Sequence, residues 1–278
     1  MQELWSNAQY QSLETLRERS KSRGDEITWE QEQSIKRALC RFVSDVGQEL
    51  DLLQWTVATA QYYIHRFYAV RSLARNDRFV VAIAAIFLSA KAEESAKSLR
   101  ECIAKAAQVR FKDKAEQDRL TKDRPQCDLL RENVLFAERA LLYIIGFDFN
   151  IEHPHHRLMP ILAKFGKDPA DKRLAVSESM SAKEREENEG EVHRRNYLAQ
   201  LAWNFATESM CTPLCLQFPP AKIAFACVDV AARFAIKNGL QRDSKWVAVM
   251  EETCGADREE ITQIEGQLLE SFRVDSEK

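Results

Sequence analysis

Residues 80–90 read VVAIAAIFLSA, and the next four residues are Lys91, Ala92, Glu93 and Glu94. As a helix this run is apolar on every side, so other helices must enclose it. Its many small side chains let those neighbours approach closely. The lysine and the two glutamates at its end therefore have a rigid support, and a rigid support is what a fixed polar surface patch requires.

Helical periodicity continues on both sides of this run, and no convincing alternating strand is present. The sequence predicts helices over residues 29–49, from Thr56 onward, after Asn76 or Asp77, over 99–109, and over 125–145. Thr28, Thr56, Asn76 or Asp77, and Ser98 are the predicted N-caps. Pro125 and Gly146 are expected to open and close the last of these helices. The charged residues 112–124 are predicted to form a loop.

The pattern of the enclosed helix occurs a second time. When Ala82–Lys91 is placed beside Ala224–Arg233, small and large apolar residues coincide and both segments end in a cation. Two such helices predict two copies of one helical domain, at a spacing far longer than that of a solenoid repeat. The second copy lacks the glutamate pair after its cation, so a contact site of the first kind is not expected there.

Composition narrows the class of protein. The 278 residues are 45% hydrophobic and 30% charged, with only 8 glycines and 7 prolines, which is typical of a globular protein with long helices. The net charge of −3 disfavours nucleic acid as the main partner, because phosphate binding needs a basic excess. The seven cysteines lie mostly in apolar helical patterns and are predicted to be reduced core residues. No signal peptide or membrane-spanning run is visible, which predicts a soluble protein of the cytosol or nucleus.

Two segments depart from the helical pattern. Between Gly166 and Arg195 the apolar period fails, and the charge run 183–191 is interpreted as part of a flexible insertion. In the first 26 residues, Leu13 and Leu16 fit a short amphipathic helix lying on the body of the protein.

Three stretches resemble a known family: Thr59–Tyr68, with the sequence TAQYYIHRFY, Phe87–Glu94, and Glu138–Phe149. Together they are similar to a cyclin box, and the His-Arg-Phe-Tyr version resembles transcription cyclins of the T, K and L types. The resemblance implies an all-α fold with two tandem five-helix cyclin-box domains and an N-terminal helical extension. The implied boundaries are 1–27 for the extension, 28–149 for the first box, 150–273 for the second box with its insertion at 166–195, and 274–278 for a tail.

The resemblance also implies a function. A cyclin of this type would bind and activate a cyclin-dependent kinase in the nucleus and would carry out no reaction itself. The implied kinase is linked to transcription and phosphorylates the C-terminal repeats of RNA polymerase II or splicing-linked substrates. Lys91 and Glu138 are implied to be the polar pair that contacts the kinase. The implied kinase-binding residues are Lys91, Ala92, Glu94, Glu138, Leu142 and Phe147. We expect no cofactor, no metal, no membrane, no direct nucleic acid and no small-molecule substrate. Both members of the polar pair are expected to be exposed.

The sequence departs from the patterns of other cyclins at two points. Residues 35–39 read Ile-Lys-Arg-Ala-Leu where mitotic cyclins have a Met-Arg-Ala-Ile-Leu docking motif, so a substrate-docking patch is not established. Ala92 occupies a position where many cyclins have a larger side chain.

Other interpretations compete with this one. His65 fits a histidine bonded within the helix packing better than a general base, and His153, His155 and His156 fit a turn better than a metal site. The spacing of Cys211 and Cys215 is poor evidence for zinc. Arg71, Arg75 and Arg78 form a small basic patch that could meet a phosphorylated loop or nucleic acid, although an ordinary charged loop is favoured.

Three alternative functions stay open at the level of sequence. A general transcription factor of the TFIIB type uses the same doubled helical domain on DNA and would need a strongly basic face. A cyclin-fold scaffold would keep the fold without activating a kinase. A small helical enzyme would use the histidine-rich turn and a metal.

Overall fold

A computed structural model describes residues 10–165, 182–235 and 244–276 of the chain. Within these residues the secondary structure consists of α-helices and two short 3-10 helices, without a strand, so the predicted all-α class is confirmed. The α-helices are α1 Leu13–Arg19, α2 Trp29–Glu49, α3 Gln54–Val70, α4 Arg78–Ala92, α5 Leu99–Arg110, α6 Lys114–Thr121, α7 Arg124–Ile145, α8 Pro154–Phe165, α9 Ala182–Ser209, α10 Pro220–Ala235, α11 Ser244–Cys254 and α12 Arg258–Ser276. The 3-10 helices are Lys21–Asp25 and Pro213–Leu216.

The helices group into two units. The first unit comprises residues up to 151 together with 210–217, and the second comprises 152–209 and the residues from 218 onward. In the first unit α4 lies at the centre and packs against α2, α3, α5 and α7. Its residues 81–86 are all buried, as the apolar run predicts. The box boundaries at 28–149 and 150–273 stay predictions.

Local signals fix most helix ends in the first unit. Thr28 accepts the backbone N–H of Gln31, whose side chain in turn accepts the N–H of Thr28, which completes a capping box. Asp77 caps α4, Ser98 caps α5, and Gly146 ends α7 in the left-handed conformation. These four predictions are confirmed.

Two predicted features of the first unit are wrong. Helix α3 begins at Gln54 with Leu53 at its N-cap, and Thr56 is buried, with its hydroxyl 3.2 Å from that of Ser95. The charged stretch 112–124 contains α6, because Asp113 accepts the N–H of Ala115 and starts a helix there.

The N-terminal segment is attached to α2 through a buried carboxylate. Glu32 accepts hydrogen bonds from Ser20 Oγ at 2.5 Å and from Arg23 Nη2 at 2.7 Å, and it pairs with Lys36 at 2.5 Å. Burial alone would raise the pKa of Glu32, but Lys36, Ser20 and Arg23 together lower it. The predicted short helix is present as α1, where Leu16 is buried as predicted but Leu13 is exposed.

Segment 210–217 completes the core of the first unit. His65 Nε2 donates to the carbonyl of Met210 at 3.0 Å, and Gln61 Nε2 lies 3.6 Å from Cys211 Sγ. The N–H of Gln11 donates to the carbonyl of Leu216 at 3.0 Å. His65 is thus bonded within the packing, as predicted.

In the second unit α10 has the central position and packs against α8, α9, α11 and α12. Its residues 223–232 are all buried, which matches the role of α4 and supports the predicted internal repeat. Of the proposed flexible insertion, residues 166–181 lie outside the described part of the chain. From residue 182 the backbone is helical and belongs to α9, and the insertion at 166–195 stays a prediction. No helix in the described ranges is long and apolar enough to cross a bilayer.

Candidate functional site

Lys91 and Glu138 form an ion pair in the first unit. Lys91 lies in the last turn of α4, and Glu138 lies in the second half of α7. The Lys91 ammonium is also 4.1 Å from the centroid of the Phe87 ring, one turn earlier on the same helix. A cation from one helix and an anion from its neighbour therefore meet where α4 ends.

The two side chains differ in exposure. The Lys91 side chain is 42% exposed, whereas that of Glu138 is only 8% exposed. The prediction that both are exposed is therefore wrong for Glu138. The reason is helical register, because Glu138 shares the buried face of α7 with Val134, Ala137 and Leu141. Its carboxylate depends on Lys91 for compensation, since a buried charge without a partner is costly.

The residues after Lys91 turn away from the helix. Ala92 is partly buried, and Glu93 accepts a hydrogen bond from Thr59 Oγ1 at 2.7 Å. Glu94 is exposed and has a φ of 53°, and the N–H of Ser95 then donates to the carbonyl of Ala90 at 2.9 Å. The two acids thus differ in role: Glu93 fastens the helix end to α3, while Glu94 faces solvent.

The end of α7 exposes a large aromatic side chain. Gly146 and Phe147 have φ values of 66° and 59°, and the N–H of Phe147 donates to the carbonyl of Leu142 at 3.1 Å. Glycine adopts this conformation freely, but a bulky residue does so at a cost of about 1–2 kcal/mol. Phe147 is nevertheless 57% exposed, and its ring meets that of Tyr143 edge-on at 5.8 Å. Strain of this kind is concentrated at functional sites.

The contact between Lys91 and Glu138 brings together the end of α4 and the second half of α7. Ala92 is the last residue of α4 and Glu94 follows it, whereas Leu142 lies within α7 and Phe147 just after it. Leu142 is partly buried against the core. The predicted site residues thus lie on two helices joined by one ion pair, or within two residues after their ends.

A second ion pair of the same design occurs in the second unit. Arg233, in the last turn of α10, pairs with Glu265 of α12. It also binds Asp229 at 3.1 Å, and Asp229 accepts the indole N–H of Trp246 at 3.0 Å. The side chains of Arg233 and Glu265 are 41% and 4% exposed, close to the values of the first pair.

The sequence reasoning missed this second pair. It noted that the second copy ends in a cation but assigned it no acidic partner. A signal was present, because Glu138 and Glu265 both begin the pattern Glu-x-x-Leu-Leu. In both helices the first leucine is buried and the second is partly buried. An alignment of the last helices would have found Glu265.

Three histidines, His65, His153 and His155, are buried within the packing. His65 is fully buried, and burial, together with the charge of Lys36, lowers its pKa to about 3. Burial also lowers the pKa of His153 to about 3 and that of His155 to about 4. His155 Nε2 lies 3.1 Å from the Thr207 hydroxyl, and its ring meets Trp203 edge-on. No group of three or more His, Cys, Asp or Glu side chains in the described ranges is arranged to hold a metal ion.

Two residues of the basic patch, Arg75 and Arg78, line a cleft of about 590 Å³ in the first unit together with one face of α2. Its apolar wall includes Ile35, Leu39 and Phe42. Arg75 and Arg78 lie on its rim, and Arg75 is bound by Asp25 through both carboxylate oxygens. The patch is therefore partly neutralised.

Comparisons with known proteins agree with this architecture. The family model described as "Cyclin, N-terminal domain" matches residues 6–150. Cyclin-T1-3 of Oryza sativa subsp. japonica is 31% identical over 263 residues, covering 95% of this chain and 48% of that protein. Cyclin-K of Homo sapiens is 33% identical over 202 residues, covering 73% of this chain and 30% of that protein. The chain thus spans less than half the length of these relatives.

A chain of the yeast RNA Pol II CTD kinase CTDK-1 complex superimposes with a TM-score of 0.66 at 18% identity, covering 94% of this chain and 72% of that one. At this level of identity the likeness concerns the fold. The family match over more than half of the sequence, the similarity to Cyclin-T and Cyclin-K, and the two enclosed helices with their ion pairs lead to one conclusion: the chain belongs to the cyclin family.

Proposed function

We propose that the chain is a regulatory subunit that binds and activates a cyclin-dependent kinase. The observation that carries the proposal is the Lys91–Glu138 ion pair, held at the end of a fully enclosed helix and half open to solvent. The cation can meet backbone carbonyls of a partner helix, and Phe147 offers an exposed apolar surface at the end of α7. Ala92, Glu94 and Leu142 complete the proposed contact surface.

The proposed mechanism is a shift of population. A kinase needs a Lys–Glu ion pair and a magnesium-binding aspartate in place, and the position of its αC helix controls both. A rigid surface that binds this helix only in its inward position favours the active state by the difference in binding free energy. The chain supplies that surface and takes no part in the phosphoryl transfer.

The relatives indicate the pathway. The solved complex with a similar chain is named as an RNA polymerase II CTD kinase, and the curated relatives are cyclins of the T and K types. We therefore propose a transcription-linked kinase as the partner, the C-terminal repeats of RNA polymerase II as its substrate, and the nucleus as the location.

The test begins with the partner kinase, identified by affinity purification from the native cell and then produced separately. Stimulation of its activity on a peptide of the polymerase repeats is measured with the wild-type chain and with the double variant Lys91→Ala/Glu138→Ala. We expect stimulation to fall about tenfold or more, because a central interface contact contributes about 1.4 kcal/mol or more. The fold should persist, since removing both members of a pair leaves no charge uncompensated.

A matched control lies in the same unit. Lys105 and Glu49 also form an ion pair between two helices, at 3.1 Å, and the double variant Lys105→Ala/Glu49→Ala should stimulate like wild type. Equal stimulation by wild type and the Lys91/Glu138 variant would contradict the proposed contact surface.

A further inference from the structure

The outer face of α7 carries a row of large apolar side chains. Leu129, Phe136 and Tyr143 are 59%, 70% and 78% exposed. They are spaced by seven residues, so they lie nearly in line along the helix over about 21 Å. Monomeric soluble proteins rarely expose large apolar patches, so this outer row indicates contact with another molecule.

The outer row lies on a different side of α7 from the Lys91–Glu138 contact. The buried face of the helix includes Val134 and Leu141, and Glu138 lies at its edge. Phe136 precedes Glu138 by two residues and therefore lies about 160° around the helix from it. The two surfaces approach each other at the end of α7, where the rings of Tyr143 and Phe147 meet edge-on at 5.8 Å.

Two opposite charges lie on one flank of the outer row. Glu132 and Arg139 are exposed and, like the apolar residues, are seven positions apart. Seven residues of helix span about 10 Å, which is too far for these two side chains to pair within one chain. Neither has an opposite charge three or four residues away in α7, where a helical ion pair would form. Arg139 Nε donates to the carbonyl of Leu135 at 3.3 Å.

The outer row and its flanking charges complement a second copy of themselves in the antiparallel direction. A two-fold axis at Phe136 places Leu129 opposite Tyr143 of the second copy. The same axis keeps each flank facing the same flank, so Glu132 comes within about one residue of Arg139 of the second copy, and this happens twice. In a parallel pair each charge would face a like charge. The charge pattern therefore indicates an identical, antiparallel partner.

We propose that the chain forms a two-fold symmetric homodimer in which α7 pairs with α7 of a second copy in the antiparallel direction. Phe136 packs on its counterpart at the axis, and each Leu129 packs on Tyr143 of the other copy. Two ion pairs between Glu132 and Arg139 set the direction. The dimer requires neither a kinase nor the Lys91–Glu138 pair.

Sedimentation equilibrium of the complete chain tests the proposal, without kinase and under reducing conditions. We expect the average mass to rise with protein concentration from that of one chain toward that of two. Phe136→Ser should weaken dimerisation about a hundredfold, because the change occurs twice in a symmetric interface and each large side chain contributes about tenfold. Phe234→Ser, at a phenylalanine of the second unit that is 63% exposed, should dimerise like wild type.

Charge reversal tests the pairing itself. Glu132→Arg and Arg139→Glu should each weaken dimerisation about tenfold, because two attractive contacts become repulsive. The double variant Glu132→Arg/Arg139→Glu should restore dimerisation. An equimolar mixture of the two single variants should form the heterodimer in preference to either homodimer, since every flanking charge then meets an opposite one.

Three results would overturn the proposal. The first is a wild-type chain that stays monomeric at every concentration, and the second is equal dimerisation by Phe136→Ser. The third is a charge-reversed double variant that dimerises no better than the single ones. If the free chain is monomeric and Phe136→Ser lowers kinase stimulation, the kinase covers the outer row and the homodimer is wrong.

Discussion

The two units compensate the charge of a buried glutamate with different residues. Each buries a glutamate of its last helix against a half-exposed cation of its central helix. In the first unit the cation is a lysine with one carboxylate and an aromatic ring beneath it. In the second it is an arginine between two carboxylates, one of which is fixed by Trp246.

This difference shows that the same arrangement of helices can present two kinds of surface to solvent. A lysine is a compact charge on a flexible stem, whose donors can turn toward a partner. An arginine is planar and directional, and here its position is fixed by two anions. In each unit the buried glutamate requires a cation as its partner, and this requirement does not specify which cation. The solvent-facing part of the cation can therefore differ between the two units.

The largest expected effect comes from removing each cation alone. Arg233→Met removes the cation that binds two buried carboxylates and should lower the free energy of unfolding of the second unit by about 3–5 kcal/mol. Lys91→Met leaves one carboxylate, that of Glu138, without its cation. This carboxylate is less deeply buried, so the free energy of unfolding of the first unit should fall by about 1–2 kcal/mol. Native-state hydrogen exchange, read by peptide in each unit, measures both. A cost that is equal in the two units would mean that the second carboxylate adds nothing.

Acid should destabilise the second unit before the first. The pKa values of His153 and His155 are lowered to about 3 and 4, and that of His65 to about 3. Because these groups bind protons more weakly when folded, stability is complete above pH 6.5 and is lost as the pH falls below it. At pH 5 each histidine should cost about 2 kcal/mol, so the second unit should lose about 4 kcal/mol and the first about 2.

Exchange measured between pH 7 and pH 5 tests this order. The variant His65→Gln should reduce the pH dependence of the first unit alone. Loss of the first unit before the second would contradict the assignment of these pKa shifts.

Replacing each of two helical glycines by alanine should change stability in opposite directions. A Cβ at Gly47 would lie 2.5 Å from Val57 Cγ2, so Gly47→Ala should destabilise the first unit by about 1–3 kcal/mol. A Cβ at Gly266 would meet nothing within 4 Å, so Gly266→Ala should stabilise the second unit by about 1 kcal/mol through helix propensity. Chemical denaturation of the two variants, followed unit by unit, distinguishes these outcomes. If both variants were more stable than wild type, the gain in helix propensity would outweigh the steric clash between α2 and α3.

The smallest expected effect concerns Phe147. Phe147→Gly relieves the left-handed strain but loses the ring contact with Tyr143, and the first unit should gain about 0.5 kcal/mol. Kinase stimulation should fall at the same time. Thermal unfolding and the kinase assay on one preparation test both, and unchanged stimulation would remove Phe147 from the proposed contact surface.

Much of the fold could be predicted because its signals are local. The apolar run at 80–90 implies an enclosed helix, and Thr28, Asp77, Ser98 and Gly146 act on backbone groups within a few residues of themselves. The failures are also informative. Thr56 has the chemistry of a cap but is used in a tertiary contact with Ser95, and the charge of residues 112–124 concealed a short capped helix.

The site could be predicted only in part. Family resemblance selects Lys91 and Glu138, and the structure brings them into contact. The burial of Glu138 depends on which face of α7 meets the core, and the resemblance did not supply that register. Glu265 was missed because the repeat was compared only over the central helices α4 and α10. The glutamate partner of each cation lies on a later helix, α7 or α12.

The return of residues 210–217 to the first unit has a consequence for biosynthesis. The hydrogen-bond partners of His65 and Gln61 in that segment are encoded some 150 residues downstream of them. A nascent chain that has emerged from the ribosome only to residue 160 has the helices α2 to α7. It still lacks residues 210–217, which complete the core of the first unit. The first unit therefore reaches its final state only after about half of the second has been translated, and an excised fragment ending near residue 150 should bind chaperones or aggregate.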